Sequence, residues 1–373
     1  MKKDKLKILF LAPHLSTGGM PQFLLKRVEA LINYTKCEVF VIEWCNYSYS
    51  FTVQKNQLKE LLGDNLFNFG SLDEPDKGEH GSRKDLIKFL YDKKIDIVHI
   101  EEIPEGFDSF SKFDTNIQKD LYDKKHPWRI VETCHNITFN PEKSKIFEPD
   151  GYACVTPHHV KNTFKNRPAQ KSLISYPIDL SIQHVDTREK ILNDMGYRLN
   201  GEYHIINVGL WTPGKNQKYA IEIARELYNK YGFTYIFHFI GNQASNFSNY
   251  WEPLMEDLPP NIRIWGERND VDKFFKFSDL MLFTSNFECN PIVLKEAISN
   301  NKKILAYNLS HYGNEYNSYI NNLSGELDKD INLLIDTIHS SLKYDLVSSN
   351  SISKFALEHL DFYNNLLENE TKR

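Results

Sequence analysis

The sequence predicts an α/β protein built from two Rossmann-like units, each a parallel sheet covered by helices. Three observations carry this prediction: the length of 373 residues, the alternation of short apolar runs with helical patterns, and the restart of that alternation halfway along the chain. A chain of this length exceeds one ordinary core, so two domains of roughly 150 to 200 residues each are expected. Strands that alternate with helices form parallel sheets wrapped by helices.

The predicted strands are apolar runs rich in β-branched residues, each followed by a turn. In the first half they are Lys7–Ala12, Cys37–Glu43, Asp96–Glu101 and Arg129–Thr133. In the second half they are His204–Gly209, Tyr235–Gly241, Asn261–Trp265, Asp279–Ser285 and Lys303–Tyr307. Helical patterns cover Gln217–Tyr231 and Ile292–Ser299, and a polar helical segment covers Asp186–Gly196.

The pattern breaks at Tyr176-Pro177-Ile178-Asp179, where we expect the hinge between the two units. The predicted domains are residues 1–178 and residues 179–350. Apolar residues at helical spacing predict a C-terminal helix in residues 351–373, which packs back toward the first domain.

Composition and charge exclude several classes of protein. The chain is 41% hydrophobic and 25% charged, as in globular proteins, and its formal charge of -5 without long runs of one sign argues against nucleic acid as a partner. Its five cysteines are scattered, with no metal-ligand spacing, which favours a reducing, cytoplasmic setting. No window approaches the roughly 20 apolar residues of a membrane span, so membrane contact is expected to be peripheral if it occurs.

Two clusters of potential metal ligands have structural interpretations. Asp328-Lys329-Asp330 precedes an apolar helical run and is expected to cap that helix. The adjacent His158 and His159 lack a partnering Cys or Asp cluster and are expected on the surface at a helix start. No metal site is predicted.

The loop after strand Asp279–Ser285 carries the first candidate site. Asn290-Pro291 is typical of an N-cap followed by proline at the first helical position. A helix that starts beyond a strand's carboxyl end attracts a diphosphate with its free amides. Glu288 precedes this start and Glu296 lies about 8 Å further along the axis, so one carboxylate could bind sugar hydroxyls and the other a ribose. Two helix-surface glutamates are the alternative interpretation.

Lys215 follows the strand that ends at Gly209 and precedes an amphipathic helix. Its ammonium group could stabilise a diphosphate leaving group, and a solvated loop lysine is the alternative. In the first unit, Gly18 and Gly19 follow the first strand and precede a helix expected to begin near Phe23. Paired glycines allow backbone to approach a phosphate, and a plain turn is the alternative.

A dinucleotide site in the first unit is a minor competing interpretation. The glycines do not form Gly-x-Gly-x-x-Gly, which disfavours nicotinamide or flavin, although Glu43 ends the second strand about where a ribose-binding acid belongs.

His135 follows strand Arg129–Thr133 at its carboxyl end, where side chains of such sheets meet ligands. A structural histidine remains an open alternative for this position. His99, Glu101 and Glu102 end another strand of the same sheet and could line the acceptor side. A solvated loop end explains the two glutamates equally well.

Together these motifs resemble the retaining glycosyltransferases of the two-domain GT-B fold, in the family 4 group. The most specific motif is Glu-x7-Glu, present as Glu288-Cys-Asn-Pro-Ile-Val-Leu-Lys-Glu296. The supporting segments are Gly18-Gly19, Thr133-Cys134-His135, Val208-Gly209 with Lys215, Ile240-Gly241-Asn242 and Trp265-Gly266-Glu267-Arg268. The resemblance covers nearly the whole chain.

The resemblance implies a hexosyltransferase that moves a sugar from a UDP- or GDP-linked donor to a glycan, a lipid-linked sugar or another hydroxyl acceptor. It implies a cleft between the two domains and no cofactor or metal ion. The catalytic residues that it implies are His135, Lys215 and Glu288. The donor-binding residues are Gly18, Gly19, Gly209, Lys215, Gly241, Arg268, Glu288, Cys289, Asn290, Pro291, Ile292 and Glu296.

The sequence departs from the family pattern most clearly at Leu210, where the family commonly has an arginine that binds the diphosphate with the lysine. Either another basic residue such as Arg268 takes that part, or turnover is weak. A catalytically silent protein that binds a nucleotide sugar or a glycan is therefore the alternative function.

Overall fold

The computed structural model describes residues 5–16, 18–45, 52–71, 74, 77–104, 114–177, 186–198, 201–312, 315–341 and 351–368. The chain divides into two compact units, the first formed by Met1–Tyr176 with Ile352–Arg373 and the second by Pro177–Ser351. Each unit contains a parallel sheet, so the predicted α/β class with two Rossmann-like domains is confirmed. The expected hinge residues Ile178 and Asp179 lie outside the described residues.

The first unit contains a parallel sheet with helices on its faces. Its described strands are β1 (Lys7–Ala12), β2 (Glu38–Glu43), β3 (Leu66–Asn68), β4 (Ile97–Glu101), β5 (Arg129–Thr133), β6 (Gly151–Cys154) and β7 (Gln170–Leu173). Its described α-helices are α1 (Gly19–Tyr34), α2 (Val53–Leu62), α3 (Leu86–Lys93), α4 (Thr115–Leu121), α5 (Pro141–Ser144) and, from the end of the chain, α12 (Ile352–Glu368). The strand order is β3-β2-β1-β4-β5-β6-β7.

The second unit repeats this plan. Its strands are β8 (Tyr203–Val208), β9 (Tyr235–Ile240), β10 (Ile262–Ile264), β11 (Leu280–Phe283), β12 (Lys303–Ala306) and β13 (Ile320–Asn322). Its described α-helices are α6 (Arg188–Asp194), α7 (Gln217–Tyr231), α8 (Ser248–Met255), α9 (Val271–Phe277), α10 (Ile292–Ser299) and α11 (Leu327–His339). The strand order is β10-β9-β8-β11-β12-β13, and the pairs are parallel.

The central strands form where the apolar runs predicted them, because they are covered on both faces. Every residue of β4, β5 and β11 is buried. Four strands were not predicted: β3, β6, β7 and β13. They have only three or four residues each, and β7, with the sequence Gln-Lys-Ser-Leu, is half-exposed along its length, so their sequences carry little apolar signal.

Helix α12 packs within the first unit, where it contacts α1. Its residues Phe355, Phe362, Tyr363 and Leu366 are buried. Gly151 on β6 allows this approach, because a Cβ atom at that position would lie 2.6 Å from the ring of Phe362. No helix in the described ranges combines the length and apolar character that crossing a bilayer requires.

Candidate active site

Both sheets have a point where the chain reverses its direction of strand addition. In the second unit the chain leaves β8 toward β9 and returns to the other side of β8 with β11. The loops after β8 and β11 therefore diverge at the carboxyl edge of the sheet, which leaves a crevice where open α/β sheets bind ligands. Lys215 belongs to the first of these loops and Glu288 to the second.

Hydrogen bonds between the two loops hold Lys215 in place. The Thr284 hydroxyl donates to the Lys215 carbonyl at 3.1 Å, and the Asn286 amide donates to the Gly214 carbonyl at 3.0 Å. The Lys215 ammonium then lies 2.5 Å from Oε1 of Glu288 and 5.4 Å from the centre of the Phe283 ring. The two predicted charges thus meet at the switch point, each partly accessible to solvent.

Helix α10 begins one residue later than the motif predicted. Ile292 is its first residue and Pro291 occupies the N-cap position, so no side chain caps the helix. Asn290, expected as the cap, accepts a hydrogen bond from the Tyr316 hydroxyl at 3.0 Å instead. Cys289 is half-buried in the loop before the helix, and Glu296 lies half-buried in its second turn. The Leu294 amide donates to the Pro291 carbonyl at 3.1 Å, so the first-turn amides left for a ligand or solvent are those of Ile292 and Val293.

Glycines after β8, β9 and β10 pack backbone against backbone. Gly209 and Gly241 have φ angles of 157° and 150°, and a Cβ atom on Gly241 would lie 2.0 Å from the Gly209 carbonyl oxygen. The Gly241 amide donates to the Gly266 carbonyl at 2.7 Å. Gly209 also has the side-chain carbons of Lys215 over it, 3.4 Å from where its Cβ would be. These glycines let the three loops converge beside Lys215.

The arginine that the family commonly has at position 210 is not directly replaced by Arg268. Arg268 donates from Nε and Nη2 to the two carboxylate oxygens of Asp270, each at 2.8 Å. Leu210 is half-buried, and its carbonyl accepts from Nε2 of Gln217 at 2.9 Å. Lys215 is thus the predicted donor-site cation whose charge meets Glu288.

In the first unit, helix α1 starts at Gly19, four residues before the expected Phe23, with Gly18 at φ 134° before it and no side-chain cap. Glu43 is fully buried and does not offer its carboxylate to a ribose. It accepts from the Leu15 amide at 2.8 Å and from the Lys55 ammonium at 2.7 Å. Its partners therefore give Glu43 a structural task in the loop after β1.

His135 lies at the carboxyl edge of the first sheet, beside the start of α1. Its ring meets the Phe23 ring edge-on at 5.4 Å, and Phe23 is one helical turn from Gly19. Its Nε2 lies 3.0 Å from Oε2 of Glu101, and its amide donates to Oε1 of Glu102 at 3.0 Å. Glu101 is fully buried, so its interpretation as part of a solvated loop end is wrong.

Sequence reasoning missed Arg27, which is fully buried and ion-paired with Glu101. The available signal was its position four residues after Phe23, on the apolar face of α1. Phe23 also links two of the first-unit candidates, because it contacts the ring of His135 and lies one helical turn from Gly19.

The structure tests the interpretations given to the two clusters of potential metal ligands. His159 is fully buried, so its expected surface position is wrong, and burial lowers its pKa to about 3. The expected cap by Asp328 and Asp330 is wrong, because α11 begins at Leu327 and no side chain caps it. Asp330 lies inside the helix and accepts from the amides of Ser324 and Gly325 and from the Tyr219 hydroxyl. Across the described ranges, no group of three or more His, Cys, Asp or Glu residues is arranged to hold a metal ion.

The second unit matches a known family of enzymes. Residues 196–338 match the model described as glycosyl transferases group 1. A curated relative, the capsular polysaccharide biosynthesis glycosyltransferase CapH of Staphylococcus aureus, is 23% identical over 253 residues, which is 65% of this chain and 68% of CapH. Over residues 196–338 the chain is therefore similar to the glycosyl transferases of group 1.

Solved structures are similar over nearly the whole chain. HepE of Anabaena, in complex with UDP-glucose, matches with a TM-score of 0.67 and 14% identity, covering 98% of this chain and 99% of HepE. A glycosyltransferase from Rickettsia africae matches with a TM-score of 0.65 and 16% identity, covering 99% of this chain and 97% of that one. These similarities show the fold, and the predicted GT-B class is confirmed.

Proposed function

We propose that the chain is a retaining hexosyltransferase that transfers a sugar from a nucleoside diphosphate to a hydroxyl acceptor without a metal ion. The observation that carries the proposal is the pairing of Lys215 with Glu288 at the switch point, beside the uncapped start of α10. A diphosphate accepts hydrogen bonds from an ammonium group and from helix amides, whereas sugar hydroxyls donate to a carboxylate. A nucleotide sugar carries both kinds of group next to each other.

The other roles follow from the same ligand. Glu296, in the second turn of α10, accepts from the ribose, and the amides after Glu288 hold the sugar. Gly209 and Gly241 bring backbone close to the nucleotide, and the loop that ends at Arg268 faces the base. For the first unit taken by itself, we propose that Gly18 and Gly19 bind a phosphate and that His135 contacts a sugar.

The chemistry that we propose needs no protein nucleophile. The bond from the sugar's anomeric carbon to the phosphate oxygen breaks while a bond to the acceptor oxygen forms on the same face. The departing phosphate oxygen takes the acceptor's proton, and the Lys215 ammonium and the α10 amides stabilise its negative charge. Positive charge from the protein therefore stabilises the charge of the leaving diphosphate, as a bound metal ion does in other transferases.

We propose UDP in preference to GDP as the carrier and a glycan of a surface polysaccharide as the acceptor. HepE was solved with UDP-glucose, and CapH is a capsular polysaccharide biosynthesis enzyme. The five cysteines, all among the described residues, form no disulfide with one another, which supports a cytoplasmic site of action, with peripheral membrane contact if the acceptor is lipid-linked. The net charge of -5 speaks against a nucleic-acid acceptor.

The test is turnover of UDP-, GDP- and ADP-linked sugars, measured as release of the nucleoside diphosphate with and without acceptor. Glu288→Ala and Lys215→Ala should each lower the rate roughly 100-fold or more, because each removes a group aimed at developing charge or at the sugar. Glu326→Ala is the matched control, since Glu326 is an exposed residue paired with Lys329. If no donor binds or turns over, or if all three variants behave alike, the proposal is wrong.

Leu210 favours a second candidate, a protein that binds a nucleotide sugar without turning it over. With leucine at that position and Arg268 engaged by Asp270, Lys215 is left to bind the diphosphate without the usual arginine. The same assay separates the two functions. Donor binding by calorimetry without any release of nucleoside diphosphate supports the silent protein.

A further inference from the structure

A fully buried ion pair lies beneath His135 in the first unit. Arg27 of α1 and Glu101 at the end of β4 both have no exposed surface. The guanidinium contacts Oε1 of Glu101, donates to the Thr133 hydroxyl at 3.2 Å and lies 3.3 Å from Nε2 of His99. Its Nε has no hydrogen-bond partner among the described residues. The guanidinium is thus desolvated with only part of its donor capacity used.

Stability alone does not explain such a pair. Moving two charges out of water costs several kcal/mol per ion in general, and replacing a buried pair with apolar residues is often neutral or stabilising. Incomplete hydrogen bonding of Arg27 raises that cost further. The contacts of the second carboxylate oxygen of Glu101 therefore indicate what this residue does beyond packing.

The second oxygen of Glu101 contacts the ring of His135, with Oε2 3.0 Å from Nε2. The next residue, Glu102, holds the backbone of His135 through its amide at 3.0 Å. Glu102 has a φ angle of 73°, which is uncommon for any residue other than glycine and is associated with functional sites. Two consecutive carboxylates at the end of β4 therefore fix both the ring and the backbone of His135.

The charge state of Glu101 determines which nitrogen of His135 carries hydrogen. Burial by itself raises the pKa of Glu101, but the charge of Arg27 and the hydrogen bond from His135 outweigh it, and the net pKa lies below the ordinary value. An ionised carboxylate only accepts hydrogen bonds. The hydrogen therefore resides on Nε2, and in the neutral ring Nδ1 is left as an acceptor.

We propose that Glu101, held by Arg27, is a positioning residue that fixes His135 in its Nε2-protonated tautomer and so makes Nδ1 an acceptor for a hydroxyl of the bound sugar. The inference rests on the proposed function and adds a specificity to it. A group that only accepts, such as a phosphate oxygen, does not fit against Nδ1, whereas a sugar hydroxyl does. The side chain of His135 keeps 15% of its surface exposed, so a ligand can reach it.

The variant Glu101→Gln tests this with little change of shape. Arg27 offers only donors, so the amide oxygen must face it and the amide NH2 must face Nε2 of His135. His135 then has to carry its hydrogen on Nδ1, which turns the acceptor into a donor. The control is Glu132→Gln, because Glu132 is also fully buried in the same sheet and paired with a lysine, Lys145, at 2.6 Å.

The measurement is 15N NMR of histidine-labelled full-length protein, in which protonated and unprotonated ring nitrogens differ widely in shift. His135→Gln assigns the resonances. We expect Nε2-H for His135 in the wild type and in Glu132→Gln, and Nδ1-H in Glu101→Gln. Release of sugar from the donor should fall tenfold or more in Glu101→Gln at saturating donor, while Glu132→Gln keeps its rate.

Nδ1-H in the wild type, or an unchanged rate in a folded Glu101→Gln, overturns the inference. The wild-type spectrum decides the tautomer even if Glu101→Gln does not fold. The spectrum can be recorded without any turnover, so it reports whether Glu101 fixes the ring even if the protein has no activity. Absence of activity on every nucleotide sugar would contradict the proposed function and not the tautomer.

Discussion

At the scale of single residues, Gly241 is the position with the least room. An alanine there requires a φ angle of 150° and places its Cβ 2.0 Å from the backbone oxygen of Gly209. We expect Gly241→Ala to lower the free energy of unfolding by about 2 kcal/mol or more, from overpacking and backbone strain together. Gly214→Ala is the control, because its Cβ has no neighbour closer than 3.7 Å.

Urea denaturation of the two glycine variants, followed by circular dichroism, measures the difference. We also expect Gly241→Ala to weaken nucleotide binding, because the loops after β8 and β9 must separate to admit the methyl group. Equal stability of the two variants would mean that these loops are not packed as described.

Leu210 can be tested by restoring the family's arginine. The Leu210 carbonyl is held by Gln217 whatever side chain the residue carries, so the backbone should tolerate the change. We expect Leu210→Arg to bind a nucleoside diphosphate roughly tenfold more tightly, because a charged hydrogen bond contributes about 1.5 kcal/mol or more. Calorimetry with UDP checks this, with Leu210→Met as the uncharged control. Equal affinities in the two variants would place residue 210 away from the phosphates.

Residues at strand ends were the ones that sequence could predict. Lys215 and Glu288 were expected at one site because each follows a central strand, and parallel strands end at the same edge. Arg27 could not be paired this way, because its position on the apolar face of α1 is the available local signal and its partner Glu101 is 74 positions away. His159 was misplaced for a related reason, since its burial depends on packing from distant segments.

At the scale of secondary structure, α12 is the element whose removal should matter most to the first unit. Phe362 is buried against Gly151 of β6, whereas Leu357 on the same helix is 51% exposed. We expect Phe362→Ala to lower the free energy of unfolding by about 3 to 5 kcal/mol and Leu357→Ala to change it by less than about 0.5 kcal/mol. Chemical denaturation of both variants measures this, and similar losses would mean that α12 does not use this face.

Elements were predictable where their sequences form a long apolar run or a clear helical period, and burial alone was not enough, since β6 is buried along its length and was missed. The bounds of β1, β5 and α7 agree with the sequence pattern residue for residue. The strands that were missed are short. The start of α1 was predicted too late because Pro21 and the glycines before it are not typical of a helix, although they form its first turn. Proline is compatible with the first turn of a helix, where its missing amide has no partner to lose.

At the scale of the whole molecule, the fold could be predicted because the α/β plan is repeated. The dependence of stability on pH could not be predicted, because it depends on which polar groups are buried. Among the described residues, five histidines are fully buried: His99, His159, His204, His238 and His359. Burial lowers the pKa of His204 to about 4, and it keeps the pKa values of His99, His238 and His359 well below the ordinary one. The folded protein therefore holds these rings neutral at pH values where exposed histidines are charged.

The sign of the resulting pH dependence follows from proton binding. Below about pH 6.5 the unfolded chain takes up a proton at each of these histidines and the folded chain does not, so stability is full above that pH and falls below it. Each ring should cost about 1.4 kcal/mol per pH unit until its own folded-state pKa is reached. Carboxylates with lowered pKa values, such as Asp270, act only below about pH 4, so the histidines dominate between pH 6.5 and 5.

The two units should respond unequally, because His99, His159 and His359 belong to the first unit and His204 and His238 to the second. Burial also lowers the pKa of His14, in the first unit, to about 4, so four protons against two make the first unit lose stability more steeply. A pH shift from about 7 to about 5 should therefore separate two unfolding transitions and move that of the first unit to lower denaturant. Hydrogen exchange followed by mass spectrometry during urea denaturation reports on each unit by its own peptides. A stability that stays constant over this range in both units would mean that these histidines are hydrated or protonated in the folded protein, against their complete burial.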